Sequence, residues 1–127
     1  MTVKVGNSKY TVPVEDIVEI MALKPENIII STDGKEIINI RKKYYPVVRL
    51  HEKFKINTKT TELTEGMALI VQNTEEDICI FADKLIGEQQ VVVKPLPDYL
   101  KKVNGVAGCS LLGDGTISLI LDTDKLL

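Results

Sequence analysis

Hydrophobic positions recur mostly at every second residue, and Gly, Pro, Asn and Asp punctuate them at short intervals. Successive side chains of a strand point to opposite faces, so this pattern predicts short, half-buried strands. Val3 and Val5 alternate with Lys4 before Gly6-Asn7-Ser8 turns the chain. Tyr10, Val12 and Val14 resume the alternation, and Pro13 marks an edge or a bulge. From Asp16 to Leu23 the apolar residues Ile17, Val18, Ile20 and Met21 fit a helical face or a bent strand. Shortness and β-branched content favour the bent strand. Lys24-Pro25-Glu26-Asn27 is a turn.

Thr32-Asp33-Gly34 lies between the isoleucines at 28–30 and at 37, 38 and 40, a hairpin signal because Gly takes the positive φ that such turns need. Tyr44 to Leu50 is a strand, Leu50 to Phe54 one helical turn, and the polar stretch from Asn57 to Glu62 a flexible loop. Strands follow from Gly66 to Gln72 and from Asp77 to Asp83. Leu85 and Ile86 lead through Gly87 to the run Val91-Val92-Val93, and Pro95-Leu96-Pro97 opens a loop or short helix up to Val103. Val106 to Leu112 and Thr116 to Leu121 flank Gly113-Asp114-Gly115 as a last hairpin, with a short helical tail from Asp122 to Leu127. About ten strands and almost no long helix imply an all-β fold, which small barrels realise with few exposed edges.

The two halves echo each other. Val47-Val48 followed by Lys53-Phe54 matches Leu119-Ile120 followed by Lys125-Leu126 at an offset of 72 residues. Glu15-Asp16-Ile17-Val18 matches Asp83-Lys84-Leu85-Ile86 at an offset of 68. Together the echoes favour two similar barrels over one large sandwich.

Composition narrows the function. The 127 residues suit one compact domain, and a net charge of −2 gives no electrostatic footprint for nucleic acid. The longest apolar runs, Met67 to Val71 and Ile78 to Ala82, are five residues, against about 20 for a membrane-spanning helix. The N-terminus lacks the apolar core of a signal peptide, so a cytoplasmic location is expected. Cys79 and Cys109 both lie in apolar segments and read as small buried hydrophobes.

A catalytic constellation is not apparent. His51, the single histidine, reads as an exposed residue of a short helix and cannot complete a metal site or a triad. Gly113-Asp114-Gly115 lacks the rest of a phosphate loop. Asp122, Asp124, Glu15 and Asp16 lack EF-hand spacing and read as turn and cap residues. Arg41-Lys42-Lys43 beside Tyr44-Tyr45 offers a minor alternative, an OB-like nucleic-acid-binding module, although a solvated hairpin tip explains the run more simply. The residues alone thus indicate a binding module without catalytic, cofactor or metal sites.

A succession of segments resembles a known family. Asp16-Ile17-Val18-Glu19-Ile20, Ile38-Asn39-Ile40-Arg41 and Tyr45-Pro46-Val47-Val48-Arg49-Leu50 with Phe54 resemble the N-terminal half of a CheW-like domain. Phe81-Ala82-Asp83, the stretch from Gly87 through Val91-Val92-Val93-Lys94 to Leu96, and Gly108-Cys109-Ser110-Leu111-Leu112-Gly113-Asp114-Gly115 resemble its C-terminal half. This half is most similar to the regulatory domain of the chemotaxis histidine kinase CheA. The resemblance implies two five-stranded SH3/OB-like barrels sharing a hydrophobic core. Their limits are expected near 1–62 and 63–127, with strand exchange between them allowed for. It also implies a non-enzymatic role: coupling chemoreceptors to the kinase by binding receptor tips and the CheW-type adaptor, at membrane-associated arrays. A free-standing adaptor is the alternative; a kinase fragment would have its phosphotransfer and ATP-binding parts upstream. On the resemblance, Ile17, Glu19 and Arg41 fall on the receptor-facing surface, while Lys42 replaces the glycine usual after this arginine.

Overall fold

The computed structural model describes residues 1–88, 92–95, 98 and 103–126. Twelve strands, one α-helical turn and three short 3₁₀ turns occur among them. They are β1 (Thr2–Val5), β2 (Ser8–Thr11), β3 (Ile17–Met21), β4 (Ile28–Ile30), β5 (Glu36–Ile40), β6 (Lys43–Arg49), α1 (Leu50–Lys53), β7 (Met67–Val71), β8 (Ile78–Ala82), β9 (Lys84–Gly87), β10 (Val92–Lys94), β11 (Val106–Leu111) and β12 (Ile117–Leu121). The all-β expectation holds, including the bent strand β3. The tail forms a single 3₁₀ turn, Thr123–Lys125. Residues 89–91, most of the segment expected between Pro95 and Val103, and Leu127 lie outside the described residues.

The strands form two six-stranded sheets, ordered β10-β11-β12-β2-β1-β9 and β4-β5-β6-β8-β7-β3. Each thus has one strand more than the five-stranded barrels that the resemblance implies. The three-residue edge strands β4 and β10 make up the number, and each is barely longer than a turn. The two orders superimpose position by position, with antiparallel neighbours except at β12 with β2 and β6 with β8, which are parallel. Each sheet begins and ends on strands successive in the chain, the order of a sheet rolled towards a barrel. In the second sheet, Leu23 in the β3–β4 connection closes the roll by packing with Ile38, Leu63, Ile70 and Phe81.

The sheets do not divide the chain at residue 62. The hairpin β1-β2 joins β9–β12, and the hairpin β7-β8 joins β3–β6. Each half therefore lends its first hairpin to the other half's sheet. The physical reason lies in β7 and β8, the two five-residue apolar runs. Leu69, Val71, Ile78, Ile80 and Ala82 face a core shared with Val3, Val5, Tyr10 and Leu121 of the first sheet. Ala68, Ile70, Cys79 and Phe81 face the interior of the second sheet. Strands buried on both faces need no polar alternation, and only a central position between two cores satisfies them.

Candidate functional site

The hairpin joining β5 to β6 turns on two residues. Ile40 pairs with Lys43, and Arg41 and Lys42 take φ values of 51° and 68°. Positive φ at both central residues is the geometry of a type I′ turn, whose twist matches that of the flanking strands. Glycine or asparagine fills such turns most easily, so the pair Arg41-Lys42 holds its shape against a steric cost. The turn carries Arg41 to the edge strand β3, where its Nη2 donates a hydrogen bond to Oε2 of Glu19. The bond and the charge of Glu19 raise the Arg41 pKa above its ordinary value. The Arg41 side chain stays 73% exposed while that of Glu19 is 32% exposed, so the pair presents mainly its guanidinium to solvent.

The structure separates Ile17 from this pair. A bulge between Ile17 and Glu19 sets them opposite Val71 and Ile70, adjacent residues of β7 whose side chains point to opposite faces. Ile17 accordingly packs against the shared core, while Glu19 lies on the face of the second sheet's interior. The resemblance names both residues for one surface; the bulge turns their side chains to different faces.

Behind the hairpin, Tyr45 packs on the inner cluster and Tyr44 is 64% exposed. With Arg41 engaged by Glu19, the basic run supplies one exposed ring and no row of stacking platforms. Asn27 Nδ2 donates to the Asn39 carbonyl at 3.2 Å, tying the β3–β4 turn to the same hairpin.

A second ion pair escaped the reading of the sequence. Arg49 donates from Nε and Nη2 to the two carboxylate oxygens of Glu36, at 2.6 and 2.7 Å. Its Nη1 reaches the Thr61 carbonyl, and its Cζ lies 5.7 Å from the centroid of Phe81. Hydrogen bonding to Glu36 raises the Arg49 pKa. The available signal was alternation: Tyr45, Val47 and Arg49 share a face of β6, and that face is interior. The same contact, together with a hydrogen bond from the Thr58 hydroxyl to Asp83, ties down the 57–62 segment expected to be a free loop.

Asp16, Asp122 and Asp124 gather at a cleft of about 510 Å³ between the end of β12 and the β7–β8 turn. Each is engaged. Asp16 accepts from the Thr123 hydroxyl at 3.2 Å, and Asp122 accepts from the Asp124 N–H at 3.1 Å. Asp124 accepts from the Thr74 N–H and hydroxyl at 2.8 and 2.9 Å, which lower its pKa. These are the turn and cap roles expected. Among the described residues no group of three or more His, Cys, Asp and Glu side chains is placed to hold a metal ion.

His51 is a correction: its side chain is 11% exposed, and its ring stands edge-on to Phe81 with centroids 6.4 Å apart. The helical turn α1 starts at the fully buried Leu50, which draws its neighbour inward. Cys79 is buried as expected, and burial pushes its thiol pKa up to about 12. Cys109 is only half-buried, with Sγ facing the carbonyls of Lys94 and Pro95 at 3.6 and 3.7 Å. No helix among the described residues is long and apolar enough to cross a membrane.

The geometry is that of a two-sheet body with ion-paired and apolar surfaces. The sequence profile of the family described as CheW-like domain matches residues 1–127. The chain is 36% identical over 129 residues to "Chemotaxis protein CheA" of Treponema pallidum, covering 100% of this chain and 16% of that protein. It is 32% identical over 126 residues to the protein of the same name from Salmonella typhimurium, covering 99% of this chain and 19% of that protein. The chain therefore spans less than a fifth of the length of these relatives. Among solved structures, the scaffolding protein TtCheW from Thermoanaerobacter tengcongensis shares the fold, with a TM-score of 0.71 at 20% identity over 97% of this chain and 87% of that one. With its whole length matched and its sheets built alike, the chain belongs to the CheW-like domain family.

Proposed function

We propose that this chain is a non-catalytic coupling module of chemotaxis, the regulatory domain of a CheA-type kinase, linking receptor tips to kinase activity through a CheW-type adaptor. The observation that carries the reading is the match to chemotaxis CheA proteins along the entire chain at 30–36% identity. Coupling by such a module needs docking faces. Interfaces are anchored by a few apolar, aromatic and Arg contacts, so exposed residues of those types are the candidates. Ile30, 69% exposed, and Tyr44 serve the second sheet, and Ile117, 66% exposed, with Leu111 serves the first. Arg41, held in place by Glu19, is the receptor-facing contact, and Ile17 acts from beneath by fixing β3 on the core. The module works on the cytoplasmic side, at receptor arrays. A free-standing adaptor of the same fold would use the same faces.

Calorimetric titration with a CheW-type adaptor, and separately with a receptor tip fragment, tests this. Binding to both is expected. Arg41→Ala should weaken the receptor fragment about tenfold or more and leave adaptor binding and the thermal midpoint nearly unchanged, because an exposed ion pair contributes little to folding. Absence of binding to either partner would overturn the proposal, and a collapse of folding in Arg41→Ala would reassign the pair to a structural role.

A further inference from the structure

A cavity of about 460 Å³ lies where the β1–β2 turn, the start of β9 and the 57–60 segment meet, lined by Lys4, Lys59, Lys84, Gly6, Thr58 and Asp83 among others. Lysines line up across the first sheet: Lys4 pairs directly with Lys9 on one side and with Lys84 on the other. Directly opposite residues project on one face with Cβ atoms about 5 Å apart, where like charges repel. Lys9 is neutralised by Asp114 at 2.7 Å. Among the described residues, Lys4, Lys84 and Lys59 have no carboxylate within ion-pair distance.

The one carboxylate lining the cavity is hydrogen-bonded to two other lining residues. Asp83 Oδ2 accepts from the Gly6 N–H at 2.8 Å and from the Thr58 hydroxyl, and its Oδ1 is buried. Asp83 is thus a clamp between the turn and the loop. Gly6, at a φ of 57°, fits so closely that a Cβ there would meet the Asn57 carbonyl oxygen at 2.4 Å. The three lysines are therefore carried on backbone walls tied to one another. Three lysines against one carboxylate leave the cavity with a net positive charge that a counter-anion would offset.

We propose that this cavity binds a small anion of the phosphate class carrying two or more negative charges, held by Lys4, Lys59 and Lys84. The site is separate from the Glu19 and Arg41 pair, and nothing in the coupling role requires it.

The test uses inorganic diphosphate as probe on the full chain, followed by amide NMR and thermal unfolding, with sodium chloride matched for ionic strength. Diphosphate should shift the resonances of Gly6, Asn7 and Thr58 saturably and raise the thermal midpoint, as any ligand selective for the folded state does. Lys59→Ala and Lys84→Thr should each weaken binding about tenfold, and Lys84→Thr alone should be no less stable than the parent because it relieves the repulsion with Lys4. Equal shifts with chloride, or unchanged diphosphate binding in both variants, would overturn the proposal. Because adaptor and receptor binding are measured separately, failure here leaves the coupling role standing.

Discussion

Lys42 shows how one residue joins sequence, strain and site. The resemblance to CheW-like domains marks it as standing where glycine is usual, and its φ of 68° supplies the reason. A left-handed conformation costs a non-glycine residue about 1–2 kcal/mol, while glycine adds about 0.4–1 kcal/mol of unfolded-state entropy. The balance predicts that Lys42→Gly stabilises the chain by roughly 0.5–1 kcal/mol, read as a higher midpoint in urea with an unchanged slope. A lower midpoint would mean that the Lys42 side chain contributes more than its backbone costs. At this scale the resemblance singled out Glu19 and Arg41 one by one, and their pairing with each other was not foreseen. The bulge after Ile17 was not legible, because one residue added to a strand leaves no signature in the period-two pattern. His51 was misjudged for a related reason: a four-residue helical turn has no periodicity from which to read a buried face.

At the scale of elements, the five-residue apolar runs carried the most information. They become β7 and β8, the strands buried on both faces, and their entry is correspondingly tight. A Cβ on Gly66, the residue before β7, would meet the Ala82 carbonyl oxygen at 2.4 Å and the Phe81 ring at 2.5 Å. Phe81 is fully buried beneath Arg49 and cannot swing away. Gly66→Ala is therefore expected to cost about 1–3 kcal/mol by overpacking. Gly113→Ala, with nothing within 4 Å of the added carbon and no left-handed backbone to strain, should be neutral or slightly stabilising. Denaturant unfolding of the two variants checks the contrast; equal midpoints would show that the β7–β8 region yields more easily than its packing implies. The hairpin signals at Asp33-Gly34 and Gly113-Asp114-Gly115 were equally readable, since turn chemistry is local. The edge strands β4 and β10 were harder to count, because three residues of extended chain differ little from a loop.

The whole molecule is governed by the exchange of hairpins. The echoes in the sequence align β6 and α1 with β12 and the tail, and β3 with β9, which are the equivalent places in the two sheet orders. Repetition was therefore visible, and strand exchange was allowed for. Its direction was not visible, because periodicity reports which faces are apolar and says nothing about which partner covers them. The consequence is mutual dependence. Residues 1–62 alone retain β3–β6 but lack β7 and β8, so Val48 and Ile38 lose the strands that bury them. Residues 63–127 alone lack β1 and β2, leaving Leu121 and the outward face of β8 uncovered. Each fragment by itself should be unfolded by circular dichroism and amide dispersion, since it exposes an apolar strand edge and half a core. Mixed together, the fragments should restore the native spectrum by trading hairpins, with a midpoint that rises with concentration. A fragment that folds unaided would show that one sheet closes on its own strands, and the shared core would then be a contact between finished units rather than the condition for either to form.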